Sequence, residues 1–123
     1  YLNPDARFVT IRAAYVAHIE RMLGFAGIEN AKARAEAVMA LETEMAKKHW
    51  DRAELRDRER TYNLRTIDQL KTEFPGYDWT AHFASQGIAA PAEVNVTTPS
   101  AVGPIVEIIG STPLEVWRDY LTF

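Results

Sequence analysis

Residues 5–48 read DARFVTIRAAYVAHIERMLGFAGIENAKARAEAVMALETEMAKK, and two successive rhythms run through them. From Asp5 to about Ala26 the apolar side chains Phe8, Ile11, Tyr15, Ile19, Met22 and Ala26 recur at steps of three and four, while Arg7, Arg12, Glu20 and Arg21 fall elsewhere. That is the 3.6-residue period of an amphipathic helix, and Gly27 is placed to end it. Asn30 is a candidate N-cap for a second helix with the apolar set Ala31, Ala35, Val38, Leu41 and Met45, and Glu44 stands four residues before Lys48 for an ion pair. A turn as short as Gly27 to Glu29 returns the chain on itself, so the spacing predicts two long antiparallel helices, near 5–26 and 30–50.

Shorter elements come after them. The run DRAELRDRER at 51–60 holds four acids and four bases and reads as a solvated helix or helical connector, with Glu54 and Arg58 four apart. Thr66-Ile67-Asp68-Gln69 has the capping-box form and predicts a short helix to about Phe74, and Pro75-Gly76 predicts a turn. Asp78 is placed to cap another short helix through Trp79, Phe83 and Ala84, with Gly87 as its left-handed terminator. Residues 89–92 read as loop. Glu93 to Thr97 alternates polar with apolar, a short edge strand or extended connector at most. Thr98-Pro99 and Thr112-Pro113 each set a hydroxyl before a proline at the first helical position, Glu115 would complete a capping box, and two helices are expected near 99–109 and 113–122. Pro104 falls in the second turn of the first, where its missing N–H costs little. The fold class expected is all-α, two long helices with shorter ones packed on them and at most one short strand, in one helical domain spanning residues 1–123.

Composition narrows the function classes. The 123 residues carry 14 Lys plus Arg, 17 Asp plus Glu, three His and no Cys, with 47% apolar residues, which is ordinary for a globular domain large enough to fold without a staple. Zero Cys removes disulfides, thiolate zinc sites, iron–sulfur clusters and cysteine nucleophiles. A formal charge of −3 without a basic cluster disfavours nucleic acid as a partner. The most apolar stretch, Ala101 to Ile109, is interrupted by Gly103, Pro104 and Glu107, so no membrane span is expected. The chain opens at Tyr1-Leu2-Asn3-Pro4 and stops at Tyr120-Leu121-Thr122-Phe123 inside an amphipathic pattern. The expectation is a fragment, any targeting signal lying in sequence outside it.

Chemistry is sparse. A helical zinc site needs two His at i and i+4, but His18, His49 and His82 are each more than thirty residues apart, and Glu20 points to nearly the opposite side of the helix from His18. Ser85, Ser100 and Ser111 lie in no nucleophile elbow, and two of them read as caps at helix starts. The glycines form no phosphate cradle. Glu42 and Glu44 occupy different helix faces. Glu42, beside Leu41 and Met45, reads as a half-buried acid needing an Arg or a Tyr hydroxyl rather than as a catalytic group. Trp79, Trp117, Tyr15, Tyr62, Tyr77 and Tyr120 read as core, with an interface the second reading. No catalytic, cofactor-binding or metal-ligating residue is assigned.

An ordered set of motifs covers essentially the whole chain. Tyr1-Leu2 is followed by Arg12-x-x-Tyr15-x-x-His18-Ile19-x-x-Met22-Leu23 and Gly27, then by Leu41-Glu42-x-x-Met45-Ala46 and Thr61-Tyr62-Asn63. Next come Tyr77-Asp78-Trp79-x-x-His82-Phe83, Val94-Asn95-Val96 with Pro99, and Pro113-Leu114-x-x-Trp117-x-x-Tyr120-Leu121. In that order they resemble the N-terminal helical lobe of the neprilysin and endothelin-converting-enzyme family of zinc metallopeptidases. The resemblance implies a two-lobed peptidase whose catalytic lobe carries His-Glu-x-x-His and a downstream Glu ligand, while a helical lobe encloses the substrate cavity. None of the family's zinc ligands, its catalytic Glu or its Asn-Ala motif has a counterpart here, so none transfers to a residue of this sequence.

The resemblance therefore implies a non-catalytic lobe fragment of an oligopeptide-hydrolysing zinc endopeptidase, inactive alone, binding no cofactor itself, with zinc in the catalytic lobe. Its expected partners are that catalytic lobe and a peptide enclosed between lobes, and the fragment could associate with itself. Cysteines found in this lobe of animal members are absent, so the resemblance implies a bacterial, extracytoplasmic (periplasmic) relative. The rival reading is a stand-alone helical protein-interaction domain, and a complete small hydrolase lacks a constellation.

Overall fold

In the computed structural model, which describes residues 1–89 and 91–123, the first long rhythm becomes helix α1 (Ala6–Phe25) and the second becomes α2 (Ala31–Ala46). Asp5 caps α1, its side chain accepting the Arg7 N–H at 2.8 Å. Gly27 leaves the helix at φ +74, a left-handed angle that costs glycine little. Asn30 adopts φ 55 and makes no side-chain cap, so the expected cap is instead a left-handed turn residue. Asn is the non-glycine residue that tolerates this conformation best. Helix α2 stops at Ala46, short of the expected end near 50.

Contacts resolve the chain into two compact units, Tyr1–Lys47 with Ser111–Phe123, and Lys48–Gly110. In the first, Ile19 and Leu23 of α1 close over Ala35 and Val38 of α2, all four at 0% exposure, with Tyr15, Ile28, Tyr120 and Phe123 packed against them. Burying each large aliphatic side chain contributes about 1.5–3 kcal/mol before entropy is subtracted. Tyr15 midway along α1 meets Glu42 late in α2, and the short connection from Phe25 to Ala31 joins the end of one helix to the start of the next, so the pair is antiparallel. The anticipated stripe on α1 is only half covered: Phe8, Ile11 and Met22 are exposed, and Leu23, outside that stripe, is buried. Helix α6 (Leu114–Thr122) lies along α2. Its N-cap is Pro113 itself, without a side-chain cap; Glu115 pairs with Arg34 instead of completing a box.

In the second unit α3 (Ile67–Glu73) carries the complete capping box, Thr66 accepting from the Gln69 N–H while Gln69 accepts from the Thr66 N–H. Asp78 caps α4 (Trp79–Ser85) through the Ala81 N–H, and Gly76 and Gly87 take φ +92 and +71. Helix α5 (Pro99–Ser111) holds Pro104 in its interior and supplies Ala101 and Val106 to a core with Leu70 and Phe74. Ser111 thus closes a helix rather than opening one.

The charge run does not form an α-helix. Its only regular piece is a single 3-10 turn, Glu54–Arg56, among the described residues. Asp51 accepts the N–H groups of Ala53 and Glu54, and Asp57 those of Glu59 and Arg60, so aspartate side chains replace the helical ladder. Glu54 consequently pairs with Arg60 at 3.1 Å rather than with Arg58. The strand near Val94 exists as β2 (Val94–Asn95), antiparallel to a partner the sequence did not announce, β1 (Leu64–Arg65), with Leu64 opposite Asn95. Asn95 reinforces the pair, accepting the Asn63 N–H at 2.7 Å and donating to the Thr61 carbonyl at 3.0 Å. Of the expected loop at 89–92, Ala90 lies outside the described residues.

Candidate functional site

Both units carry concentrations of chemistry-bearing side chains. In the first, α2 presents Glu42 toward α1 and the segment before it. The Tyr1 hydroxyl donates to Oε2 at 2.9 Å and the Tyr15 hydroxyl to Oε1 at 3.1 Å. The half-buried acid therefore finds tyrosines, one of the two partner types expected of it. Burial first, then the hydrogen bond to Glu42 and its negative charge, push both phenols above their ordinary range. One turn of α2 faces α6, where Arg34 holds the buried Asp119 with two donors and lies 3.3 Å from Glu115. Those hydrogen bonds to Asp119, more than anything else, raise the Arg34 pKa further. The tyrosine hydroxyls satisfy the Glu42 carboxylate by hydrogen bonding and Arg34 pairs the Asp119 charge, and both arrangements tie elements of this unit together.

In the second unit α4 and α5 flank an apolar groove of about 270 Å³ lined by His49, Tyr77, Trp79, His82, Val102 and Ile105 among others. The Tyr77 hydroxyl lies 3.0 Å from His82 Nδ1, and the Trp79 indole donates to the Phe74 carbonyl at 3.1 Å. Tyr77 and Trp79 stack edge to face with centroids 4.8 Å apart. The groove can hold an apolar side chain, with imidazole as its polar contact. A larger groove of about 650 Å³ lies beside α3 and α4, with Phe83 and Ile88 in its wall and Lys71 at 3.8 Å from Asp68.

The three histidines part company. His18 packs its ring edge-on against Phe123, whereas His49 and His82 share one groove. Sequence reasoning had no signal for that convergence, since both sit in ordinary local contexts more than thirty residues apart. Among the described residues no group of three or more His, Cys, Asp or Glu is placed to hold a metal ion. The serines act structurally: Ser100 accepts the Trp50 indole N–H at 2.7 Å instead of capping α5, and Ser85 donates to the His82 carbonyl. Arg60 stacks over Trp50, 4.6 Å from the ring centroid, fastening the far end of the charge run.

This helical architecture, with its Tyr-Asn and Val-Asn-Val elements joined at one strand pair, matches the sequence model of the N-terminal part of Peptidase family M13 across residues 1–123. The chain belongs to that family. It is the metallopeptidase family whose motifs the sequence resembles. No curated protein sequence matches the chain. Among solved structures, the Mycobacterium tuberculosis zinc metalloprotease Zmp1 in its open state is 33% identical, with a TM-score of 0.86 over 97% of this chain and 19% of Zmp1. Zmp1 in complex with an inhibitor gives 32% identity and a TM-score of 0.87 over the same shares, and a partial open state gives 33% and 0.76 over 96% and 18%. The M13 chain described here thus spans about a fifth of the length of the metalloproteases it matches. No helix among its described residues is long and apolar enough to cross a membrane.

Proposed function

We propose that this M13 chain is a non-catalytic portion of the helical lobe of a zinc endopeptidase that hydrolyses oligopeptides, and that the lobe encloses the substrate cavity and limits substrate size. The observation that carries the reading is a mismatch between family and residues. The chain aligns from end to end with an M13 region found in a zinc metalloprotease, yet its described residues offer zinc no ligand group. On this reading zinc is held by polypeptide outside this chain, in keeping with the lack of a ligand group for it among the described residues. Their contribution is geometric. Helices tied by hydrogen-bonded and ion-paired carboxylates make a stiff wall, and a walled chamber admits short flexible peptides while excluding folded proteins and bulk water.

The test uses the protein encoded by the complete reading frame. Sequence downstream of Phe123 should contain His-Glu-x-x-His, and the purified protein should cleave peptides of about ten residues in a chelator-sensitive manner while sparing a folded substrate. A reading frame without that motif would favour a stand-alone interaction domain. Equal cleavage of short peptides and folded proteins would remove the size-limiting role.

A further inference from the structure

We infer that the groove flanked by α4 and α5 binds a small apolar carboxylate, with a body the size of a single side chain and no amine. This goes beyond the peptidase reading and does not rest on it. The groove holds about 270 Å³, under the ~300–1,000 Å³ of a drug-sized site, so its occupant is small. Tyr77 and Trp79 give it an aromatic wall, and Val102 and Ile105 an aliphatic one. Its imidazoles are donors. The Tyr77 hydroxyl lies 3.0 Å from His82 Nδ1, and a phenol donating there leaves the ring proton on Nε2. That second nitrogen has no partner among the described residues and is not sealed from water, so His82 brings an unused N–H to the groove it lines. Rings of Phe83, Tyr77 and Trp79, with centroids 5.2, 5.6 and 6.3 Å away, hold the imidazole in place. His49, exposed at the same groove and without a hydrogen bond among the described residues, supplies a second imidazole. No Asp, Glu, Lys or Arg among the described residues lines the groove. Asp78 is turned to the Ala81 N–H, Glu107 of α5 is exposed outside it, and Lys48 and Asp51 flank His49 in sequence alone. An ammonium would therefore enter without a counter-charge, whereas a carboxylate meets two imidazoles whose hydrogen bonds to it strengthen when they gain a proton.

The test is calorimetric titration of phenylpropionate into the protein from the complete reading frame, with a chelator present so that no metal competes for the acid. Phenylpropionate should saturate one site and bind about tenfold more tightly than phenylpropionamide, the margin of a charge-assisted over a neutral hydrogen bond. That margin should widen severalfold from about pH 8 to about pH 6 as imidazole gains its proton. Phenylalanine, whose ammonium finds no partner, should bind more weakly than the acid. His82→Phe keeps a ring in place and should erase the preference for acid over amide while leaving weak amide binding. His49→Gln, at an exposed position, should narrow the same preference, and it keeps the test intact if the first variant fails to fold. No saturable binding, equal binding of acid and amide, or a preference untouched by both substitutions overturns the inference. So does tighter binding of phenylalanine. None of these readouts involves peptide cleavage, so their failure leaves the proposed function standing.

Discussion

Arg34 on α2 grips Asp119 on α6 across 85 residues of sequence, Nε donating to Oδ2 at 2.7 Å and a terminal nitrogen donating to Oδ1. Asp119 is 2% exposed, so its charge has little water to fall back on. Removing the cation leaves that carboxylate uncompensated, whereas replacing both partners with apolar groups of similar volume does not. Arg34→Met is expected to lower the urea midpoint more than Glu115→Gln, whose glutamate side chain is 71% exposed. Adding Asp119→Leu to Arg34→Met should recover much of the loss. An Arg34→Met variant as stable as the wild type would contradict the role given to the pair.

The Glu42 tyrosines make stability fall at high pH. Both phenols have folded pKa values above their ordinary 10.0, so between the unfolded and folded values the native state holds protons that the unfolded state has released. Their contribution is full below about pH 10 and is lost as pH rises through the folded values. Denaturant melts should therefore be flat in this respect up to about pH 10 and weaken above it. Tyr15→Phe should flatten that decline and remove part of the late phenolate absorbance. An unchanged profile would detach Tyr15 from Glu42.

Local caps and core side chains in the second unit should separate by size of effect. Thr66→Ala removes the acceptor for the Gln69 N–H and should cost about 1 kcal/mol. Leu70→Ala, at a side chain 1% exposed, should cost about 2–5 kcal/mol through lost burial and the cavity left behind. Equal losses for the two substitutions would mean that α3 is held by its cap rather than by its packing.

Zinc calorimetry on the 123-residue chain should show no tight stoichiometric site, since a structural or catalytic zinc needs three or four convergent ligands. The same preparation should cleave no peptide. One tight site abolished by His49→Ala or His82→Ala would show that the shared groove is a metal site after all.

The sequence by itself determined whatever depends on neighbours within about four residues. The periods of α1 and α2, the Thr66 capping box, the Asp78 cap and the left-handed Gly87 were all legible, because a helix and its caps are built from contacts at i+3 and i+4. Local competition also explains two misreadings: Asp51 and Asp57 bind nearby backbone N–H groups and break the helix their charges suggested, and Asn30 turns left-handed instead of capping. The tertiary structure alone decided which distant groups meet. It paired Leu64 with Asn95, gave Glu42 the hydroxyls of Tyr1 and Tyr15, brought His49 and His82 to one groove and buried Asp119 beneath Arg34. No local period encodes those encounters, because each depends on how whole helices pack once their apolar faces leave water.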